Sequence, residues 1–281
     1  MKFIKTIAEM SAYSARAKKD GKKIGLVPTM GYLHSGHLSL VKEAKSRCDL
    51  AVVSIFVNPL QFGKNEDLEK YPRDMARDLE ALKHCKVAAV FAPEPAEMYP
   101  DGYCTSVYVS GGLSEVFEGE IRQGHFNGVA TVVTKLFNII RPAVAFFGQK
   151  DAQQCVVIKR IASDLNMPLE IEIMPTVRES DGLAMSSRNT YLSAEDRKNA
   201  PVLFQALQFG QHMIELGEKR SKIIIREIEA KIDGVKHKGI DYVSVVNPDT
   251  LEAVATVAGK VLIILAVRFG TTRLLDNIIV D

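Results

Sequence analysis

Cysteine is scarce: four in 281 residues, Cys48, Cys85, Cys104 and Cys155, widely scattered. None belongs to a C-x-x-C pair, which excludes a zinc ribbon or a disulfide framework and fits reduced thiols in a cytoplasmic setting. No run of eighteen or more apolar residues is present, so no membrane-spanning helix is expected. Met1-Lys2-Phe3 leads straight into a charged segment without the apolar core of a signal peptide. Neither charge sign dominates. Thirty-six Lys and Arg against 34 Asp and Glu leave a net charge of +2, which argues against a nucleic-acid or membrane-surface partner. The motifs G-x-x-x-x-G-K, G-x-G-x-x-G and H-E-x-x-H are also missing, so neither familiar phosphate loop nor a zincin helix is present. What remains is a chain of ordinary soluble composition, 47% hydrophobic and 25% charged, long enough for one large domain or two smaller ones.

The apolar pattern alternates between two periods. Residues 1–20 read as a helix, with Phe3, Ile4, Ile7, Met10 and Ala15 on one face and Gly21 ending it. Lys23 to Val27 and Leu50 to Val57 are short, almost unbroken apolar runs, the mark of parallel strands covered on both faces. Leu38 to Arg47 between them has helical spacing, which makes a βαβ unit. A helix with Leu68, Tyr71, Met75, Leu79 and Leu82 follows, then a strand at 87–91 and an irregular stretch at 94–127 rich in Gly, Pro and Tyr. Helix 129–140, strand 143–147, helix 151–165 and strand 169–174 continue the alternation, which predicts a doubly wound parallel sheet. After Pro175 the order changes. A helix capped by Ser193 is expected to run to about Leu216, a second covers 221–233, and β-rich runs follow at 241–246, 261–268 and 274–280. The expected division is residues 1–175 as an α/β domain and 176–281 as a smaller α+β domain.

Four loops follow four apolar strands, and in a parallel sheet all would lie at one edge. Pro28-Thr29-Met30-Gly31-Tyr32-Leu33-His34-Ser35-Gly36-His37 puts two histidines where a strand gives way to a helix. The helix start offers unpaired N–H groups and a partial positive charge, a ready place for phosphate. Gly36 lets a ligand approach the backbone, and His34 and His37 add donors. The bland alternative is a capped turn on a surface helix. Asn58 and Gln61 are loop amides. In Gly148-Gln149-Lys150-Asp151 the lysine is a mobile point charge that reaches a phosphate, or Asp151 is only a helix cap. Of Gln153 and Gln154, one should face the cleft. Met185-Ser186-Ser187-Arg188-Asn189 is a small cationic cradle or an ordinary turn, and Arg122, Gly124 and His125 could be solvated surface. These residues indicate an α/β enzyme that handles phosphate and name no substrate.

The same stretches resemble the pantoate–β-alanine ligase (pantothenate synthetase) family: residues 28–37, Phe56-Val57-Asn58-Pro59-Leu60-Gln61-Phe62, Gly124-His125-Phe126-Asn127-Gly128-Val129, Phe147 to Gln154, and Pro175-Thr176-Val177-Arg178-Glu179 through Asn189. The resemblance covers nearly the whole chain in family order. Gln149 stands at a position that varies in the family. The resemblance implies a Rossmann-like sheet of the nucleotidylyltransferase superfamily, a hinged carboxyl-terminal lid and a homodimer. It implies a two-step reaction: pantoate attacks the α-phosphorus of ATP, and β-alanine then displaces AMP from the pantoyl adenylate. His34 and His37 would stabilise charge at the α-phosphate. Lys150, Ser186, Ser187 and Arg188 would hold the β- and γ-phosphates, with Mg²⁺ sharing the charge. Gly148 and Asp151 would hold the ribose, while Met30, Val177 and Met185 line the adenine side. Gly31, Tyr32, Leu33, Ser35, Gly36 and Gln149 complete the ATP set. Asn58, Gln61 and Gln154 would hold pantoate, Gln61 also meeting β-alanine. The rival readings are another enzyme of the superfamily, sharing a His-x-Gly-His turn, and a non-catalytic nucleotide sensor that has no need of Asn58, Gln61 and Gln154.

Overall fold

The structure is a computed structural model that describes residues 1–64 and 66–281. The chain divides into two compact units, Met1–Gly148 with Gln153–Met174, and Pro175–Asp281 with Gln149–Ala152.

The first unit is built on six strands: β1 (Lys2–Ile4), β2 (Ile24–Thr29), β3 (Leu50–Ile55), β4 (Ala89–Phe91), β5 (Val144–Gly148) and β6 (Glu170–Met174). All pair in parallel, in the order β1-β4-β3-β2-β5-β6. The connecting helices are α1 (Ile7–Lys19), α2 (Ser35–Arg47), α3 (Met75–His84), the short α4 (Pro95–Met98), α5 (Gly112–Glu115) and α6 (Glu118–Ile121), then α7 (His125–Ile140) and α8 (Ala152–Asp164). Successive strand residues point to opposite faces. Leu26, Val52, Ala145 and Phe147 therefore pack against Met10 of α1, Val133 of α7 and Ile158 of α8. Val27, Val53, Val90 and Phe146 pack against Val41 of α2 and Leu82 of α3. Both faces being covered explains the unbroken apolar runs. From β2 the order proceeds to β3 and β4 on one side, while β5 joins the other side through Gly25↔Val144 and Leu26↔Ala145. The carboxyl ends of β2 and β5, Thr29 and Gly148, flank this reversal, the place where open α/β sheets take ligands.

Several boundaries differ from the sequence reading. Phe3 and Ile4 belong to a strand paired with β4, not to the first helix. Leu68 and Tyr71 precede α3, which starts only after Pro72 and the N-cap Asp74, whose carboxylate accepts the Arg77 N–H at 3.0 Å. Proline disfavours helix in the residue before it, and the cap sets the start. The stretch 94–127 holds three helical turns, and α7 begins at His125.

The second unit holds α9 (Ala194–Asn199), α10 (Val202–Glu215), α11 (Ser221–Asp233), β7 (Gly239–Val246), β8 (Val261–Phe269) and β9 (Thr272–Val280). The strands form an antiparallel sheet in that order. Leu203, Leu207, Ile224 and Ile228 of the helices pack on Val245, Ile263 and Leu265 of one sheet face. The single helix expected from Ser193 is two. Ser193 caps α9 by accepting from Asp196 N at 3.1 Å, and Pro201, which has no N–H to continue the ladder, separates α9 from α10. Among the described residues no helix is long and apolar enough to cross a membrane.

Candidate active site

The turn after β2 is held from below. Gly31 has φ +87°, and a Cβ there would lie 3.0 Å from Ile55 Cγ2 and 3.1 Å from Asp78 Oδ2, so glycine fits both the backbone and the space. The two oxygens of buried Asp78 accept the N–H groups of Tyr32 and Leu33 at 2.7 and 2.8 Å. Burial pushes the Asp78 carboxyl up, and these two hydrogen bonds oppose the rise. Arg77 donates to Leu33 O at 2.6 Å and lies over the Tyr32 ring at 4.6 Å. Helix α3 thereby fixes the entry to α2.

At the start of α2 the histidines cap one another. His34 Nδ1 accepts the Gly36 N–H at 3.2 Å, and His37 Nδ1 accepts the His34 N–H at 3.3 Å. The rings lie 4.0 Å apart. This is a capping box with imidazoles in place of the usual hydroxyl and carboxylate. Its chemistry follows from donor bookkeeping. A backbone N–H only donates, so in this arrangement both Nδ1 atoms are unprotonated and each ring carries its proton on Nε2. The cap thus commits both Nδ1 atoms to backbone N–H groups at a helix N-terminus.

The loop after β3 places Asn58 and Gln61 together. Asn58 is 1% exposed and uses all four of its hydrogen-bonding positions. Its amide donates to Gln61 Oε1 at 3.1 Å and Gly128 O at 3.0 Å. Its oxygen accepts from Tyr99 Oη at 2.7 Å and Leu60 N at 3.4 Å. Asn58 therefore holds Gln61 rather than reaching outward. Gln61 Nε2 donates to Met30 Sδ at 3.0 Å, which joins the loops after β2 and β3. The Gln61 carbonyl accepts from His125 Nδ1 at 2.8 Å, while Arg122 donates to His125 Nε2 at 3.0 Å and to the Glu66 carboxylate at 2.9 and 2.7 Å. His125 is thus not solvated surface. Burial, aided by the Arg122 charge, lowers its pKa to about 4. Gln153 is spent within the unit, on Glu118 N, Leu113 O and Val116 O. Gln154, in the first turn of α8, is half-buried.

The remaining candidates lie in the second unit, apart from Gly148 at the end of β5. Lys150 Nζ is 3.2 Å from Asp151 Oδ1. Val177 and Met185 are paired, Met185 N donating to Val177 O at 3.0 Å, in a tight hairpin closed by Glu179 N to Leu183 O at 2.8 Å. Ser186 caps the following turn by accepting from Arg188 N at 3.3 Å, and Ser187 is buried. Arg197 ties the hairpin down through Glu179 and Asp181, each at 2.6 Å.

Asp78, Tyr99 and the linkage of Glu66 through Arg122 to His125 escaped the sequence reading, which met Arg122 and His125 only as candidate surface. Asp78 left one signal, a carboxylate on the apolar face of α3 beside Leu79 and Leu82. The others act through contacts across 41 to 64 residues, which no local pattern carries.

The family model described as pantoate-β-alanine ligase matches residues 2–279. A pantothenate synthetase of Acetivibrio thermocellus is 55% identical over the full length of both chains. The crystal structure of pantothenate synthetase from Thermus thermophilus superposes with a TM-score of 0.95 at 45% identity, over 99% of each chain. That of pantoate-β-alanine ligase from Francisella tularensis, complexed with β-γ ATP and β-alanine, superposes with a TM-score of 0.79 at 32% identity, over 99% of this chain and 97% of that one. With a match from end to end and the two-histidine cap standing at the sheet's point of reversal, the chain belongs to the pantoate–β-alanine ligase family.

Proposed function

We propose that this chain condenses (R)-pantoate with β-alanine at the expense of ATP, through pantoyl adenylate. The observation that carries the reading is the His34–His37 cap, which commits both Nδ1 atoms to backbone N–H groups at a helix N-terminus. Family membership supplies the substrates, and the Francisella tularensis complex with β-γ ATP and β-alanine supports two of them.

In the first step a pantoate carboxylate oxygen bonds to the α-phosphorus, and the bond to the bridging oxygen of pyrophosphate breaks. Negative charge builds on the non-bridging α-oxygens. His34 and His37 donate to them, an arrangement that needs no reorganisation because the cap already orients both rings. Lys150, Ser186, Ser187 and Arg188 take the β- and γ-phosphates and the leaving pyrophosphate. Gly148 and Asp151 hold the ribose, with Met30, Val177 and Met185 at the adenine. Mg²⁺ bound with ATP beside Lys150, Ser186, Ser187 and Arg188 would offset phosphate charge. Among the described residues no three His, Cys, Asp or Glu gather around a metal position. Gln61 and Gln154 orient pantoate, and Asn58 fixes the Gln61 amide. In the second step the β-alanine nitrogen bonds to the acyl carbon, AMP leaves and the nitrogen loses a proton. Amides suit this pocket because they orient the carboxylate without competing as nucleophiles. The homodimer implied by the resemblance and the cytoplasmic setting expected from the scattered cysteines belong to the same proposal.

Exchange of labelled pyrophosphate into ATP tests the first step alone. It should require pantoate and no β-alanine. Exchange independent of pantoate would overturn the adenylate reading.

A further inference from the structure

Strand β9 carries two consecutive polar residues that are both buried, Asp276 at 2% and Asn277 at 3% exposure. Burying neighbouring polar groups in an apolar sheet is unfavourable unless each is paired, and here the partners come from two distant segments. The Asn277 amide donates to the carbonyls of Gln149 and Lys150, both at 3.0 Å, and its oxygen accepts from Gln149 Nε2 at 3.1 Å. Asp276 accepts both Nη groups of Arg178 at 2.6 and 2.9 Å, and the Asn277 N–H at 2.8 Å. Arg178 lies 3.7 Å over the Phe204 ring and donates to Gly182 O at 3.1 Å. Arg178 follows Val177 and is bridged to Ala184, next to Met185. One dipeptide therefore grips the Lys150 turn by its main chain and the hairpin leading to Ser186 by its guanidinium.

We propose that Asn277, braced by Asp276 and Arg178, is a positioning residue that sets the Lys150 turn against the Val177–Arg188 segment for the phosphates of ATP. This rests on the reading that Lys150 and Ser186–Arg188 hold those phosphates. A lysine is a point charge on a flexible stem, so where its ammonium dwells depends on where its backbone is anchored. The two carbonyls that Asn277 holds are those of Lys150 and of the residue before it. Loss of the clamp leaves the charge in place and its position loose, and displacements near 1 Å are costly at a reacting phosphate.

The test is a double-mutant cycle on MgATP affinity by calorimetry, with pantoate affinity measured alongside. Asn277→Ala should weaken MgATP binding about tenfold and leave pantoate binding as it was. In a Lys150→Ala background the same change should cost less than about twofold, because the group being positioned is gone. Losses that multiply in full, or an equal loss of pantoate affinity, would mean a general structural role and overturn the proposal. Wild-type MgATP affinity in folded Asn277→Ala, with Lys150→Ala impaired, would overturn the positioning role alone. Wild-type affinity in Lys150→Ala would overturn the phosphate assignment, and the role of Asn277 with it. Asn277→Asp keeps the size and the acceptor for Gln149 but lacks both donors. It is read by the same criteria if Asn277→Ala does not fold.

Discussion

At the scale of single residues, His37 does two jobs that mutation can separate. Its Nδ1 caps α2, and its Nε2–H is the proposed donor to the α-phosphate. His37→Ala removes both. The lost cap should destabilise the fold by about 1 kcal/mol, and the lost donor should slow pyrophosphate exchange by about 2.7–4 kcal/mol of barrier. His37→Gln restores a standard capping-box residue, so its melting temperature should return toward the parent while exchange stays slow. Unchanged exchange in either folded variant would remove His37 from the chemistry. A second prediction concerns His125, buried and neutral between Arg122 and the Gln61 carbonyl. Its pKa is lowered from 6.5 to about 4. In the unfolded chain the ring takes up a proton near pH 6.5 and in the folded one only near pH 4, so between these values the unfolded state binds more protons. Its stabilising contribution is fully present above pH 6.5, falls as pH drops and is lost near pH 4, a swing of about 3 kcal/mol. Denaturant unfolding at pH 7 and pH 4.5 should show this slope in the parent and not in His125→Gln. Equal slopes in the two proteins would show that His125 is not held neutral by the fold.

At the scale of elements, the approach of α7 to the loop after β3 depends on Gly128. A Cβ there would lie 2.2 Å from Leu60 O and 2.5 Å from Gln61 N, closer than atoms pack. In an open helix, alanine for glycine stabilises by up to about 1 kcal/mol. Here overpacking should outweigh that gain, at about 1–3 kcal/mol, and push Gln61 off its bond to Asn58. Gly128→Ala should therefore melt lower and bind pantoate more weakly, as calorimetry would show, with ATP affinity near that of the parent. A variant more stable than the parent would mean that the loop yields at no cost. The strands were the most legible elements. An unbroken run such as Ala51-Val52-Val53 leaves few alternatives once both faces are buried. Helix ends were less legible, because they depend on breakers and caps. The spacing of Leu68, Tyr71 and Met75 suits a helix, yet Pro72 and Asp74 delay its start to Met75. Phe3 and Ile4 have helical spacing with Ile7, and only pairing with the distant β4 makes them a strand.

At the scale of the whole molecule, the candidate residues are shared between the two units. Met30–His37, Asn58, Gln61, Gly148 and Gln154 belong to the first, and Gln149–Asp151 and Val177–Arg188 to the second. The sequence shows why each loop is a candidate, since each follows an apolar strand of a parallel sheet. It carries no distance, so the internal engagement of Asn58 and the hold of Asn277 on the Lys150 turn became visible only in the fold. The proposed reaction makes a demand at this scale: one ATP engages amides of both units, whereas pantoate engages only the first. Hydrogen exchange reads this segment by segment, because a ligand bound to the native state makes the openings that expose its contacts rarer. With ATP at about a hundred times its Kd, those openings should become about a hundredfold rarer. ATP alone should then slow exchange at Gly31–His37 and also at Gln149–Asp151 and Ser186–Arg188, and leave Asn58–Phe62 nearly unchanged. Pantoate alone should slow Asn58–Phe62 and the first turn of α8, and leave the second unit at its resting rate. Without pantoate ATP has no acceptor for its adenylyl group, so the ATP arm reports binding and not turnover. Protection by ATP confined to one unit would break the division of labour between the histidines and Lys150. Protection of the Lys150 turn by pantoate alone would reverse it.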